Sequence, residues 1–359
     1  MKKALIIAYA KKNLGDDLFI HILVNRYKNT KFYLSSKTFY DKSCFKASNL
    51  KFVNRNVINF LNNLASKNKR HFLNTNNILS GFCDATVLIG GSMFIQNADI
   101  DTVKTQVGER FSHLKNKYYI LGSNFGPYKD DEYYNLHYNV FKNAEDVCFR
   151  EEYSYNLFKD LKNVKYASDI VFSLDTKNTN LEKKKEVVIS VIDLSFRKEF
   201  ANLTEVYERK IKEMVEYYVS IGYSVTLMSF CKFEGDEKAI SNITSLLNSD
   251  IRSKVNVYPY DGNIQEALGV IGRSEIVVAT RFHAMILGLI FNCTVIPVIY
   301  SNKTLNVMKD INFTGDYVKI EDIDKLDISS LNLDYKLDIS KQVLDAQRHF
   351  ESLDKYLER

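Results

Sequence analysis

Arg281 and His283 are the residues whose types and spacing best suit chemistry on a small anion. They follow the apolar run at residues 276–280 and open the next helical segment. Backbone N–H groups at a helix start point toward the same place, where the helix dipole disfavours a cation. Two cationic residue types at such a position therefore indicate a bound anion, although a structural histidine is the simpler alternative.

Two further cations follow predicted buried strands in the same way. Arg150 comes directly after the apolar residues 147–149, and Lys303 follows the strand predicted at 294–299. A guanidinium fork binds a carboxylate or a phosphate through two hydrogen bonds. If the strand ends converge, these two residues together with Arg281 and His283 would surround a compound that carries both groups.

Glycine-containing turns stand where other predicted strands end, at residues 13–16, 90–92 and 122–127. Glycine lets the backbone approach a ligand closely, and rigid loops at strand ends position polar groups. The alternatives are an ordinary turn in which Asp16 caps the first helix, and a simple tight turn at 90–92. Neither GxGxxG nor GxxxxGK[ST] occurs, so no dinucleotide or P-loop site is predicted.

Short β-rich runs alternate with longer helical segments, which is typical of parallel α/β domains. The 359 residues are enough for two such domains, at about 150 residues each. A polar stretch at 175–185 predicts Rossmann-like, doubly wound domains at 1–178 and 179–335, facing across a cleft. Residues 336–359 are predicted as a helix that packs back on the first domain.

Composition excludes several other classes of protein. The net charge of +5 is too small for the concentrated basic face of a nucleic-acid-binding protein. Five cysteines stand far apart without a CxxC pair, so no metal site is predicted. Polar residues interrupt the longest apolar stretch at 284–300, and the run at 4–8 is too short for a signal peptide. A cytoplasmic protein is therefore predicted.

The order of these turns resembles the polysaccharide pyruvyl transferase family over about residues 5 to 305. The most specific part is Thr-Arg-Phe-His-Ala at 280–284, followed by Pro-Val-Ile-Tyr-Ser-Asn-Lys at 297–303. The other matching segments are those at 13–16, 90–92, 121–127, 149–151 and 167–170. Family members commonly have leucine where Phe282 stands.

The resemblance implies a two-domain fold like that of GT-B glycosyltransferases. It also implies transfer of the pyruvyl group of phosphoenolpyruvate to two hydroxyls of a sugar, with release of phosphate and without a metal or organic cofactor. Arg281 and Phe282 would bind the donor in the second domain, helped by Arg150 and Lys303. His283 would transfer protons at the reacting centre.

On the acceptor side, Asn13, Asp16 and Ser92 of the first domain are the candidates for contact with the sugar of a capsule or exopolysaccharide. A lipid-linked acceptor would place the enzyme at the inner face of the membrane. The alternative function is a GT-B glycosyltransferase that uses a nucleotide sugar, for which Glu266 is the candidate ribose ligand. A non-catalytic protein that binds a sugar or an anion is the third interpretation.

Overall fold

The structure is a computed structural model and describes residues 1–36, 44–54, 75–111, 114, 116–176 and 181–357. These residues form two compact units. The first contains the described residues of Met1–Ala10, Leu18–Ser173 and Gln342–Arg359, and the second those of Lys11–Asp17 and Leu174–Lys341. The boundary predicted between 178 and 179 lies outside the described residues.

A parallel sheet forms the centre of the first unit. Its strands are β1 (Lys3–Ile7), β2 (Lys31–Ser36), β3 (Leu50–Asn54), β4 (Ala85–Ile89), β5 (Lys117–Ser123), β6 (Asp146–Phe149) and β7 (Val164–Tyr166). The helices along this part of the chain are α1 (Leu14–Arg26), α2 (Thr75–Phe82), α3 (Ile100–Phe111), α4 (Asp131–Lys142) and α5 (Glu152–Phe158). The strand order is β3-β2-β1-β4-β5-β6-β7.

The second unit also contains a parallel sheet. Its strands are β8 (Lys184–Ser190), β9 (Ser224–Met228), β10 (Val255–Tyr258), β11 (Ser274–Ala279), β12 (Thr294–Ile299) and β13 (Val318–Lys319). The helices are α6 (Thr204–Ser220), α7 (Asp236–Leu246), α8 (Ser249–Arg252), α9 (Ile264–Arg273), α10 (Phe282–Ile290) and α11 (Asn302–Asp310). The strand order is β10-β9-β8-β11-β12-β13.

Both sheets are doubly wound. In each, the chain begins in the middle, adds strands on one side and then crosses to add strands on the other. The crossing points lie between β1 and β4, paired at Ala4↔Ala85, and between β8 and β11, paired at Val187↔Ile276. Sheets of this kind bind ligands beside the carboxyl ends of the strands at the crossing point. The prediction of an α/β fold with two Rossmann-like units is confirmed.

The two units have separate cores of different character. In the first, phenylalanines pack edge to face, and the ring of Phe158 lies 4.9 Å from that of Phe125 and 4.8 Å from that of Phe141. The second core is mainly aliphatic, and the β-branched residues of β8 and β11 are buried within it. Strands buried on both faces explain the uninterrupted apolar runs that identified them in the sequence.

The last part of the chain packs on the first unit in three pieces rather than as one helix. They are α12 (Ser340–Ala346), a 3₁₀ turn (Gln347–Phe350) and α13 (Glu351–Leu357). Asp354 accepts hydrogen bonds from Arg26 at 2.9 and 2.6 Å and from the Tyr27 hydroxyl at 2.8 Å. His349 Nε2 donates to the carbonyl of Ser168 at 2.9 Å. Among the helices of the described ranges, none has the length and hydropathy that crossing a lipid bilayer requires.

Candidate active site

Ser190 joins the two strand ends at the crossing point of the second sheet. Its buried hydroxyl accepts hydrogen bonds from the backbone N–H groups of Thr280 and Arg281, at 3.0 and 3.1 Å. These bonds fix the start of α10 against the end of β8. Arg281 is the extended residue that precedes this helix, and His283 follows two positions later, so both stand at the carboxyl edge of the sheet.

Arg281 is buried and contacts two carboxylates. Its Nε and Nη2 bind Asp236, with Nε at 3.1 Å, and its Nη1 lies 2.5 Å from Glu234 Oε2. Burial disfavours the charged guanidinium, but the two carboxylates outweigh burial and raise the pKa of Arg281. Three of its five N–H bonds point at carboxylates, so at most two could reach a donor molecule. This limits the expected guanidinium fork.

Asn13 groups with the second unit, whereas the sequence analysis assigned it to the first domain. Its Nδ2 donates to Glu234 Oε1 at 3.2 Å, and its Oδ1 accepts from the N–H of Gly15 at 3.1 Å. Asn13 therefore caps α1, which is the role that the simpler interpretation gave to Asp16. Asp16 itself is half-buried in the first turn of that helix.

His283 is half-buried and packs against the same turn. A Cβ added to Gly15 would overlap the imidazole ring, so only glycine allows the ring to occupy this place. The ring of Phe282 stands edge-on to the imidazole, with centroids 5.0 Å apart and planes at 75°. The glycine of the first turn thus admits the site's own histidine, where the sequence analysis expected it to admit a ligand.

Cations surround the phenol of Tyr300. The guanidinium carbon of Arg197 lies 4.7 Å from the centre of the Tyr300 ring, and Lys303 Nζ lies 5.7 Å from that of Phe282. Burial raises the pKa of the phenol, but its cationic neighbours, Lys303 first and then Arg197, outweigh burial. The pKa of Tyr300 is therefore below its ordinary value, which indicates a positive potential at this edge of the sheet.

Arg150 and Ser92 are brought together in the first unit by Asn124. Arg150 donates to Asn124 Oδ1 at 2.7 Å and to Asp169 Oδ2 at 3.0 Å, and the Ser92 hydroxyl donates to the same Asn124 oxygen at 3.4 Å. The side chains of the ion pair are 2% and 0% exposed, and a Cβ on Gly91 would overlap the guanidinium. Arg150 was expected to bind the donor. In the structure its guanidinium is buried beneath the turn at Gly91 and is paired with Asp169.

Sequence reasoning missed Glu234, Asp236, Arg197 and Tyr300 as site residues. The two carboxylates flank Gly235, where the loop that follows β9 ends and α7 begins, and they contact Arg281 there. Acidic residues in the loop between a strand and the next helix were therefore a usable signal. Arg197 lies in the loop after β8 and had no local signal, and Tyr300 stood in the matching segment without an assigned role.

Glu266 has a local structural role at the start of α9. Its carboxylate accepts from Asn263 Nδ2 at 3.1 Å, and its N–H donates to Asn263 Oδ1 at 3.3 Å. This reciprocal pair caps the helix. Glu266 therefore has a structural role that does not require a ribose ligand. Within the described ranges, no group of three or more His, Cys, Asp or Glu residues is placed to hold a metal ion.

Solved structures with a similar fold cover nearly the whole chain at low sequence identity. The UDP-GlcNAc 2-epimerase of Methanocaldococcus jannaschii is 10% identical with a TM-score of 0.61, over 99% of this chain and 100% of that chain. MnaA of S. aureus, solved with UDP, is 11% identical with a TM-score of 0.59, over 99% and 97%. Anabaena Alr3699/HepE, solved with UDP-glucose, is 12% identical with a TM-score of 0.52, over 99% and 98%. At such identities the similarity shows the GT-B-like fold alone.

The family comparison covers most of the chain. A model described as polysaccharide pyruvyl transferase matches residues 13–302. The matched segment contains the Asn13 turn, Ser92, Arg150, Arg281 and His283, and it ends one residue before Lys303. The chain therefore belongs to the polysaccharide pyruvyl transferase family.

Proposed function

We propose that the protein transfers the pyruvyl group of phosphoenolpyruvate to two hydroxyls of a sugar in a cell-surface polysaccharide or its precursor. The products are a cyclic ketal and phosphate. The observation that supports this most is the family match over residues 13–302, which includes His283 at the cationic edge of the second sheet. Phosphoenolpyruvate carries a carboxylate and a phosphate, the groups that such cations bind.

In the proposed mechanism His283 protonates the methylene carbon of phosphoenolpyruvate. The adjacent carbon becomes oxocarbenium-like and accepts the first sugar hydroxyl, which loses its proton. Phosphate then leaves and the second hydroxyl closes the ketal, and its proton is released with the phosphate as hydrogen phosphate. Because imidazole titrates near neutral pH, the ring that donates the first proton can accept one from a hydroxyl.

Arg281, Phe282 and Lys303 are the proposed donor-binding residues of this chain. Arg281 would contribute the N–H bonds that do not point at Glu234 and Asp236, and Lys303 would contribute a point charge. No step requires a metal or an organic cofactor.

On the acceptor side we propose the half-buried Asp16 and the exposed Ser92 as contacts for the sugar. The reaction would take place in the cytoplasm, where phosphoenolpyruvate is supplied, and at the inner face of the membrane when the acceptor is lipid-linked.

The test is phosphate release from phosphoenolpyruvate, measured across a panel of sugar acceptors. We expect acceptor-dependent release, reduced in His283→Gln by at least about 100-fold because a general acid–base group is lost. His21→Gln is the matched control, since His21 is also half-buried but lies within α1 and contacts Asn25 at 3.2 Å. Equal rates for His283→Gln and the wild type would remove His283 from the mechanism. Stabilisation by UDP or GDP, with none by phosphoenolpyruvate, would favour the glycosyltransferase alternative.

A further inference from the structure

A surface pocket of about 300 Å³ lies in the second unit beside Tyr300. Its lining consists of Arg197, Lys198, Glu199, Phe200 and Tyr300. The first four belong to the loop that follows β8, and Tyr300 follows β12 directly. The pocket therefore stands at the carboxyl edge of the second sheet.

Arg197 is held in place at this pocket by three contacts. Its Nη1 donates to the carbonyl of Asp193 at 3.0 Å, its Nη2 lies 3.6 Å from Glu234 Oε2, and its guanidinium covers the ring of Tyr300. A side chain fixed in this way loses little conformational freedom when a ligand binds. A planar guanidinium also matches the geometry of a phosphate or carboxylate.

The charges around the pocket favour an anion. The cations are Arg197 and Lys198 in the lining, with Lys303 and Arg281 beside Tyr300. The carboxylates are Glu199 in the lining, with Glu234 and Asp236 in contact with Arg281. The cations act on the phenol more strongly than the acidic group near it, because the pKa of Tyr300 is lowered despite burial.

We propose that this pocket is an oxyanion subsite in which Arg197 and Tyr300 bind a phosphate or carboxylate group. Arg197 offers charged N–H donors, the Tyr300 hydroxyl offers one more, and Phe200 lies against the carbon skeleton that carries the anion. Any role of this subsite in catalysis rests on the proposed function. The bound group is a phosphate ester of the donor or one carried by the acceptor sugar, since both present the same chemistry.

Binding without turnover tests the proposal. Isothermal titration calorimetry is performed separately with inorganic phosphate, phosphoenolpyruvate and glucose 1-phosphate, on the wild type, Arg197→Gln, Tyr300→Phe and Arg209→Gln. We expect Arg197→Gln to raise the Kd of at least one probe by about tenfold or more, because a charge-assisted hydrogen bond is lost. Tyr300→Phe should raise it less, and Arg209→Gln, an exposed site on α6, should leave it unchanged.

The probes separate the sources of the phosphate. An effect on phosphoenolpyruvate alone assigns the subsite to the donor, and an effect on glucose 1-phosphate assigns it to the acceptor. Arg197→Lys keeps the positive charge but lacks the planar guanidinium. We expect it to give a Kd between those of the wild type and Arg197→Gln, with an unchanged unfolding transition. This result would show that the higher Kd of Arg197→Gln comes from a lost contact and not from misfolding. Unchanged Kd values in Arg197→Gln for all three probes, or no binding of any probe to the wild type, would overturn the proposal. If phosphate binds through Arg197 but phosphoenolpyruvate is never consumed, the subsite stands and the proposed function fails.

Discussion

Arg150 and Arg281 make similar contacts in the two units but have different surroundings. Each follows a parallel strand and pairs with a fully buried aspartate, and in each unit a glycine turn lies against the site. The Arg150 pair is enclosed, at 2% and 0% exposure. Arg281 also contacts Glu234, whose side chain is 30% exposed, and the half-buried His283 stands two residues away. The same arginine–aspartate pairing can therefore stabilise an enclosed turn in the first unit and orient the residues of a partly exposed site in the second.

The largest expected effect is on the enclosed pair. Asp169→Asn removes the carboxylate charge that pairs with the buried guanidinium of Arg150, so the free energy of unfolding should fall by about 3–5 kcal/mol. Urea unfolding measures the loss, with the exposed Glu109→Gln as the control in the same unit. If Asp169→Asn were as stable as the wild type, the enclosed pair would not be what fixes this turn.

The glycine over the enclosed pair should also affect stability. Gly91→Ala places a Cβ where the Arg150 guanidinium lies, and a closed environment leaves little room for adjustment. The free energy of unfolding should fall by about 1–3 kcal/mol, as for other overpacked interiors. Unfolding in urea checks this, and a stable variant would show that the pair can move.

The corresponding glycine of the second unit should affect activity instead. Gly15→Ala displaces the half-buried ring of His283. Alanine in the first turn of α1 favours the helix by up to about 1 kcal/mol, which offsets the steric loss in stability. Phosphate release should fall about tenfold while the unfolding transition changes little, because a misplaced proton donor slows the reaction. If Gly15→Ala lost as much stability as Gly91→Ala, the two glycines would not differ in the way proposed, one affecting stability and the other activity.

The sequence predicted the strand ends at which these sites form. Uninterrupted apolar runs identified β8, β11 and β12, and the residues after β11 were predicted as the centre of the site. The acid partners of Arg281 were not predicted, because Glu234 and Asp236 meet it only when β9 and β11 lie in one sheet. Local periodicity carries no information on such a long-range pairing.

Asn13 shows a second limit of prediction from sequence. Its type and its position before α1 indicate a helix cap, and that part follows from local chemistry. Its place in the second unit depends on contacts with Glu234 and Cys231, far along the chain. A boundary drawn from composition cannot assign a segment of seven residues to a unit whose other residues begin at Leu174.

Glu234 tests the connection between that turn and Arg281. Glu234→Gln keeps a hydrogen-bond acceptor for Asn13 but removes the charge beside Arg281 and Arg197. We expect the KM for phosphoenolpyruvate to rise by several-fold, because the charged partner that holds both guanidinium groups in place is lost and this outweighs the removal of a negative charge. Less than about 1 kcal/mol should be lost in stability at this partly exposed site. Glu237→Gln is the matched control, at 33% exposure and paired with Lys232. Equal KM values would separate Glu234 from donor binding.

A last prediction concerns the pH dependence of stability that the buried His349 gives the first unit. Burial lowers the pKa of His349 in the first unit to about 4, against about 6.5 for an exposed histidine. Between these values the unfolded chain binds a proton that the folded chain does not, so stability falls as the pH drops through this range. Urea unfolding from about pH 7 to about pH 4.5 should show a shallower loss in His349→Gln than in the wild type. Equal slopes would show that His349 is not held neutral.

The position of Lys11–Asp17 has a consequence for co-translational folding. These residues are synthesised long before the rest of their unit, whose other residues begin at Leu174. Nascent domains generally fold from the N-terminus as they emerge. Leu14 is fully buried in the folded protein, and its N–H donates to the carbonyl of Phe230. This hydrogen bond can form only after Phe230 has emerged from the ribosome. A nascent chain can thus form strands of the first sheet early, but Gly15 meets His283 only after β11 and the start of α10 have been synthesised. A nascent chain that stops before α10 therefore lacks an assembled site.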